Sequence, residues 1–143
     1  MEETQKAGCF LIDAKKQKIA LVVRESRGDV SFPKGHVENG ESAEMTAVRE
    51  TAEETRRIAC IMEEYAPYVE RYETPRGEKC VNYMFFALDG GASNNTNPDT
   101  HPTIWVDIEE VESKLTYESL KRTWRDVLPT IKEILEKIKV QKC

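Results

Sequence analysis

The sequence has no long apolar segment: no hydrophobic run approaches the roughly 20 residues that a helix needs to cross a bilayer. The first residues, MEETQKAG, lack the basic and apolar stretches of a secretion signal. Cysteine is scarce, and Cys9, Cys60, Cys80 and Cys143 are scattered without a C-x-x-C spacing, which argues against a zinc site and favours free thiols. We therefore expect a cytoplasmic protein with no membrane partner.

Positive charge is also in deficit. The chain has 21 Lys and Arg against 26 Asp and Glu, a net charge of −5. This balance argues against a stable nucleic-acid partner, because phosphate backbones are bound by an excess of cations. It does not exclude small phosphorylated molecules, which a metal ion and a few local cations can hold. The length of 143 residues suits a single domain, residues 1–143, and we expect a monomer.

The most informative stretch, residues 31–58, has the pattern of a tight loop followed by an amphipathic helix. Ser42 is a suitable N-cap for that helix, and acidic residues beside it suit the helix dipole. Met45, Val48 and Ala52 recur at helical spacing, which predicts that they form one buried stripe.

The same helix carries three glutamates, Glu50, Glu53 and Glu54, on one edge roughly opposite that stripe. At about 100° per residue they share a short arc and repel one another, and Arg49 is their one basic neighbour within the helix. Either this is a solvated acidic face, or a divalent cation neutralises it. Hard oxygen ligands would select Mg²⁺, Mn²⁺ or Ca²⁺. The spacing alone leaves both interpretations open.

The order of polar residues resembles the Nudix box. Its members are Gly35, then after five residues Glu41, then after seven residues Arg49 and Glu50, and then after two residues Glu53 and Glu54. The chain departs from the family pattern at Thr51, where an aliphatic residue is usual, and at Arg56 and Arg57, where Gly and an aliphatic residue are usual. The resemblance implies an α/β (α+β) fold, the α/β/α sandwich with a mixed sheet, and Mg²⁺-dependent hydrolysis of a phosphoanhydride bond.

The resemblance also implies roles for the residues of the box. The Gly35 carbonyl and the carboxylates of Glu50 and Glu54 would bind Mg²⁺, with Mn²⁺ as an alternative. Glu53 would be a ligand or a base, so that Glu53 and Glu54 are the catalytic acids of the helix. Arg49 would orient these acids by salt bridges, as structural support.

Positions outside the box resemble one branch of the family, the asymmetrical diadenosine tetraphosphate hydrolases, whose loop is similar to FPKGHVENGE. Gly28, Asp29 and Val30 stand where that branch carries aromatic or His residues. Further residues are implied to bind substrate or to assist catalysis. They are Lys34 and His36 beside Gly35, Tyr72, Tyr83 and Tyr117 as nucleotide contacts, Lys79 as a phosphate ligand, and Asp99 as a catalytic acid or metal ligand.

Ordinary structural roles remain open for most of these residues. His36 could make a loop hydrogen bond, Tyr72 and Tyr83 could pack within strands, Lys79 could be solvent-exposed, and Asp99 could be a turn acid.

Hydrophobic patterning predicts the remaining elements. Strands are predicted at 7–12, 18–23, 57–62, 68–73, 79–88 and 103–107, with hairpins joining the first pair and the pair around 74–77. Residues 89–102 have the composition of a surface loop, and 108–114 that of a brief helix. An amphipathic helix is predicted from residue 120 onward, with Trp124 in the core and Pro129 either kinking the helix or starting it afresh.

Three functions are compatible with these features. The leading one is hydrolysis of diadenosine tetraphosphate to ATP and AMP. The nearest alternative keeps the chemistry and changes the substrate to diphosphoinositol polyphosphates, RNA 5′ ends or nucleoside triphosphates; Arg24, Arg27, Lys34, Arg56 and Arg57 would suit a highly phosphorylated inositol. The third is a non-catalytic nucleotide-binding module, which would be expected to have lost the acids that this helix retains.

Overall fold

A computed structural model of the chain describes residues 3–94 and 101–141, which form eight strands and three helices. In chain order these are β1 (Thr4–Asp13), β2 (Lys18–Arg24), β3 (Asp29–Ser31), β4 (Lys34–His36), α1 (Ala43–Thr55), β5 (Arg57–Ile61), β6 (Tyr68–Glu73), β7 (Lys79–Ala92), β8 (Thr103–Asp107), α2 (Val111–Lys114) and α3 (Glu118–Gln141).

One mixed sheet contains all of these strands. Its main path runs β3-β2-β1-β7-β5, and β4, β6 and β8 pair with β1, β7 and β2 respectively. The central pair, β1 and β7, is parallel, while the hairpins β1–β2 and β6–β7 are antiparallel, as predicted. Because β1 pairs with β4 along its first half and with β2 at its end, the loop before α1 is held at the centre of the sheet.

Both faces of the sheet are covered, as expected for strands with near-continuous apolar runs. Side chains of β1 alternate between two cores: Phe10 and Ile12 face α3, whereas Cys9 and Leu11 face α1. Trp124 of α3 is fully buried in the first core, as predicted. The expected α/β/α sandwich with a mixed sheet is therefore confirmed.

The predicted stripe on α1 is wrong. Met45 is 57% exposed, and Val48 and Ala52 are only half-buried. The buried face instead consists of small and polar residues together with one of the glutamates: Thr46, Ala47, Thr51, Glu54 and Thr55. Small side chains let α1 lie close to β1 and β5, and this orientation turns the acidic edge toward β4 rather than toward solvent.

The end of α1 shows how the helix terminates without the glycine that is usual in the box. Arg56 itself takes the left-handed conformation, with φ 59° and ψ 31°, and its N–H donates to the Ala52 carbonyl at 2.9 Å. This is the position where Gly is usual because it has no Cβ to clash. The helix therefore ends on a left-handed residue without a glycine, and Arg56 adopts the conformation that Gly takes more easily.

Two further predictions need correction. β7 continues to Ala92, because its last residues pair with β5. The first residues of the predicted 89–102 loop are therefore part of a strand. Pro129 does not start a new helix, because α3 is continuous from Glu118 to Gln141. Within the described part of the chain, no helix is both long enough and apolar enough to span a membrane.

Candidate active site

Aromatic packing in the core holds the start of the loop between β3 and α1 in place. Phe32 is buried, its ring centroid 5.0 Å from that of Phe10 and 6.1 Å from that of Trp124. On β1, a side chain at Gly8 would collide with the Pro33 carbonyl, so only Gly allows the loop to approach this closely. These contacts set the position of β4, which carries Lys34 and the two residues that follow it.

The acidic edge of α1 lies directly against β4. A Cβ on Gly35 would fall on the carboxylate of Glu50, so the glycine makes room for that group. The backbone N–H of Lys34 donates to Glu54 Oε1 at 2.8 Å, and Arg24 Nη2 donates to Glu54 Oε2 at 3.4 Å. Glu54 is only 5% exposed, so the strand and Arg24 hold its carboxylate at the inner end of the site.

Arg49 connects the loop to the helix. Its Nε donates to Glu41 Oε2 at 2.6 Å, and its Nη2 donates to Glu41 Oε1 at 3.0 Å and to the His36 carbonyl at 3.1 Å. Its Nη1 contacts Glu50 at 2.9 Å and Glu53 at 3.2 Å. The side chain thus has the bidentate and bridging geometry expected of a guanidinium that positions carboxylates.

Burial dominates the electrostatics of the inner groups. Desolvation raises the pKa of Glu50 and of Glu54, more than their basic neighbours lower it. Burial likewise lowers the pKa of Lys34, with Lys6 and Arg24 adding charge repulsion. In the loop before α1, hydrogen bonds from Arg49 lower the pKa of Glu41 to about 2. The inner acids are therefore under-compensated for charge, a condition that a bound cation would relieve.

Two adjoining cavities open at this point. The acidic chamber, of about 490 Å³, has the α1 glutamates on one wall. The nucleoside-sized cleft, of about 390 Å³, lies between the sheet and α3, with aromatic side chains on its walls. Four basic side chains line both cavities and so form a shared wall, here called the basic wall: Lys6, Arg24, Arg27 and Lys34.

The structure brings most of the sequence-predicted residues together. The acidic chamber is lined by Lys34, Gly35, His36, Glu50, Glu53 and Glu54. Tyr72 and Tyr117 line the cleft, and the Tyr117 hydroxyl donates to Asp29 Oδ2 at 3.0 Å.

Two predicted substrate contacts lie elsewhere, and a third cannot be placed. Tyr83 packs against the α1-side core, on the opposite face of the sheet from the cleft. Lys79 is exposed at the start of β7, opposite Glu73, and lines neither cavity. Asp99 lies outside the described residues.

Other lining residues were not anticipated. Lys6 and His101 line the acidic chamber, and Asn82 lines the cleft. Lys6 reaches the site because β1 pairs with β4 in the register Lys6–His36. No local pattern in the sequence indicates that pairing, so only the fold could reveal these residues.

The residues present fit a divalent metal ion in their chemistry. As now oriented, no three Asp, Glu, His or Cys side chains among the described residues are grouped to bind a metal ion. However, Glu50 and Glu53 both contact one guanidinium nitrogen, and the room at Gly35 is filled by the Glu50 carboxylate. Their carboxylate oxygens are the hard donors that Mg²⁺ and Mn²⁺ prefer.

The fold resembles solved Nudix structures. A NUDIX hydrolase from Nitrosomonas europaea has a TM-score of 0.75 at 18% identity, covering 90% of this chain and 90% of that chain. A C. elegans Ap4A hydrolase has a TM-score of 0.68 at 22% identity, covering 91% of this chain and 99% of that chain.

Sequence comparison establishes the family. The NUDIX domain model matches residues 3–127. The putative mutator protein MutT4 of Mycobacterium tuberculosis is 34% identical over 106 residues, which are 73% of this chain and 43% of that protein. The 8-oxo-(d)GTP phosphatase of Mycolicibacterium smegmatis is 27% identical over 76% of this chain and 33% of that protein. This chain thus spans less than half the length of these curated relatives. The chain belongs to the NUDIX family, as the order of Gly35, Glu41 and the α1 acids predicted.

Proposed function

We propose that this chain hydrolyses a phosphoanhydride bond of a nucleoside 5′-polyphosphate in the presence of Mg²⁺. The observation that carries the proposal is the basic wall shared by an acidic chamber and an aromatic cleft. A polyphosphate on that wall would have its anhydride bonds beside the α1 glutamates and its nucleoside in the cleft. The cations of the basic wall would thus bind an anionic substrate, although the net charge of the chain is negative.

The site residues have separable tasks. Glu50, Glu54 and the Gly35 carbonyl would hold the metal, with Glu53 beside them. Mg²⁺, when bound, would neutralise phosphate charge and favour ionisation of a bound water. Arg24 and Lys34 would orient the phosphates. The carboxylate of Glu53 would accept the proton of the attacking water.

Diadenosine tetraphosphate, cleaved to ATP and AMP, is the first candidate substrate. Two adjoining cavities provide room for an extended polyphosphate, and Tyr72 and Tyr117 lie in the cleft, where a base would stack. The structural likeness to a C. elegans Ap4A hydrolase supports this candidate at the level of the fold.

A nucleoside triphosphate is the second candidate. The 27%-identical relative is named as an 8-oxo-(d)GTP phosphatase, and that name favours a mononucleotide. A diphosphoinositol is less favoured, because Arg57 is committed to Asp89 through a 2.6 Å ion pair. Arg24, Arg27 and Lys34 do line the acidic chamber, however.

A substrate panel tests the proposal. The purified chain with Mg²⁺ is incubated separately with diadenosine tetraphosphate, nucleoside triphosphates, a diphosphoinositol polyphosphate and a triphosphorylated RNA, and the products are separated by ion-exchange chromatography. We expect ATP and AMP from the first compound, or a monophosphate and pyrophosphate from the triphosphates. In ¹⁸O-water, the labelled product identifies the phosphorus that was attacked. Intact nucleotides at high protein concentration would contradict the proposal and favour a binding module.

A further inference from the structure

A buried carboxylate in the nucleoside-sized cleft lacks the partners that its burial requires. Asp29, at the start of β3, is only 4% exposed and accepts one hydrogen bond, from the Tyr117 hydroxyl to Oδ2. Its other oxygen, Oδ1, is buried and has no hydrogen-bond partner among the described residues. An ionised carboxylate can accept about four hydrogen bonds, and leaving its oxygens unpaired is costly. The position therefore suits a ligand that brings donors.

A second unpaired acceptor lines the same cleft. Asn82 Oδ1, on β7, is buried without a partner within the described residues. Glu70 also lines the cleft but differs from these two residues, because it already accepts a hydrogen bond from Thr123 at 2.9 Å. Among the acceptors of the cleft, the deficit falls on Asp29 and Asn82; on the donor side, Nε of Arg24 in the basic wall is also buried without a partner within the described residues.

The walls around these acceptors suit a flat ring. The rings of Phe32, Tyr68 and Tyr72 and the side chains of Met84 and Leu120 line the cleft. The basic wall at one side would hold the phosphates of the same ligand. A planar base with N–H donors on one edge satisfies both requirements.

We propose that Asp29 is a specificity-determining residue that reads the donor edge of a guanine-type base, with Asn82 accepting a further donor of the ligand. Guanine presents two adjacent N–H donors, at N1 and at the 2-amino group, in a spacing that a carboxylate accepts. Adenine presents an unprotonated ring nitrogen beside its one amino group, which a carboxylate repels. The inference rests on the nucleoside polyphosphate substrate proposed above, and it favours a guanine nucleotide over diadenosine tetraphosphate. It concerns the base rather than the bond that is cleaved.

Binding of nucleoside monophosphates tests this without any turnover, because these probes have no phosphoanhydride bond. Calorimetric titration of the whole chain with GMP, IMP, XMP and AMP should show GMP binding tighter than AMP by roughly 10- to 100-fold, the effect of hydrogen bonds to a charged group. IMP should fall between them, because it keeps the N1–H donor and lacks the 2-amino group.

The variant Asp29→Asn should redirect the preference rather than only weaken it. The asparagine amide keeps one acceptor for the N1–H group and the Tyr117 hydroxyl, and it adds a donor for the 2-oxo group of xanthine. GMP should weaken by roughly tenfold or more while XMP strengthens. The matched control Glu70→Gln should keep the GMP-to-AMP ratio, because that group already has its donor.

The outcomes separate this inference from the proposed hydrolysis. Equal affinity for GMP and AMP, loss of all four ligands alike in Asp29→Asn, or no binding at millimolar concentrations would overturn the role of Asp29. Failure of the whole panel to be cleaved, with the GMP preference intact, would instead overturn the hydrolysis alone.

Discussion

At the scale of single residues, Glu54 differs most clearly from an ordinary surface acid. It is nearly fully buried, its pKa is raised by desolvation, and its carboxylate accepts hydrogen bonds from a strand N–H and a guanidinium. A buried carboxylate is costly unless it is paired, so its burial has to be compensated. The compensation that we propose is the metal ion of the reaction.

The variant Glu54→Gln should therefore lose activity without losing the fold. The amide oxygen can still accept the Lys34 N–H, while the charge that would bind the metal is gone. We expect kcat to fall by roughly 100-fold or more, with an unchanged or slightly higher unfolding midpoint. Steady-state kinetics and thermal melts measure the two effects. Glu44→Gln, on the same helix but outside the acidic chamber, should keep wild-type kcat; equal losses in both variants would contradict the assignment.

The pair of Glu41 and Arg49 should make stability depend on acid pH. The pKa of Glu41 is lowered from 4.5 to about 2 by its hydrogen bonds from Arg49. Because the folded-state pKa is the lower one, this contribution is present above pH 4.5 and is lost as pH falls toward 2. Arg49→Met should lower the free energy of unfolding at neutral pH and flatten its loss between pH 4.5 and 3. Urea unfolding at several pH values measures this, and parallel curves for both proteins would contradict it.

The two tyrosines of the β6–β7 hairpin show what sequence could not decide about single residues. Tyr72 lies opposite Cys80 and Tyr83 lies opposite Val69. Since side chains alternate along a strand, this register sends Tyr72 to the cleft and Tyr83 to the other face. The family resemblance predicted both tyrosines as nucleotide contacts, and the pairing register puts them on opposite faces of the sheet.

At the scale of elements, the end of α1 holds a strained residue that the family usually avoids. Arg56 has φ 59°, and a non-glycine residue in this conformation costs roughly 1 kcal/mol. Arg56→Gly should raise the free energy of unfolding by about 0.5 to 1 kcal/mol. Arg56→Ala is the control, because it removes the same side chain and keeps the Cβ. Urea unfolding measures both variants, and an equal change in the two would attribute the effect to the side chain.

The elements themselves were largely predictable, and their errors share one cause. The apolar run of β2, the alternation of β6 and the N-cap at Ser42 are local signals, and each gave its element. The extension of β7 depends on pairing with β5, and the buried face of α1 depends on how closely it packs on the sheet. In both cases long-range contacts outweighed local composition: strand pairing for β7 and packing on the sheet for α1.

At the scale of the whole molecule, the site joins groups from distant parts of the chain across one sheet. The α1 glutamates lie on one side, the aromatic cleft lies toward α3, and the basic wall between them comes from β1, β2, the loop after β2 and β4. The box motif predicted the acids and Gly35 because their spacing is fixed within one loop and helix. Lys6, Asn82 and His101 depend on the topology, which no short motif encodes.

This arrangement predicts that metal and polyphosphate bind together rather than independently. Mg²⁺ would offset the negative charge of the α1 glutamates, and the phosphates would offset the positive charge of the basic wall. Mg²⁺ alone, or a methylene-bridged dinucleotide alone, should therefore shift the unfolding midpoint little. Both together at about 100 times Kd should stabilise the chain by about 2.7 kcal/mol, or about 8 °C. Lys34→Met should remove most of the shift and Lys79→Met should keep it, because only Lys34 lines the cavities. Differential scanning calorimetry measures the shifts. If the two ligands shift the midpoint additively, or if Lys79→Met abolishes the shift, the basic wall does not hold the phosphates beside the metal.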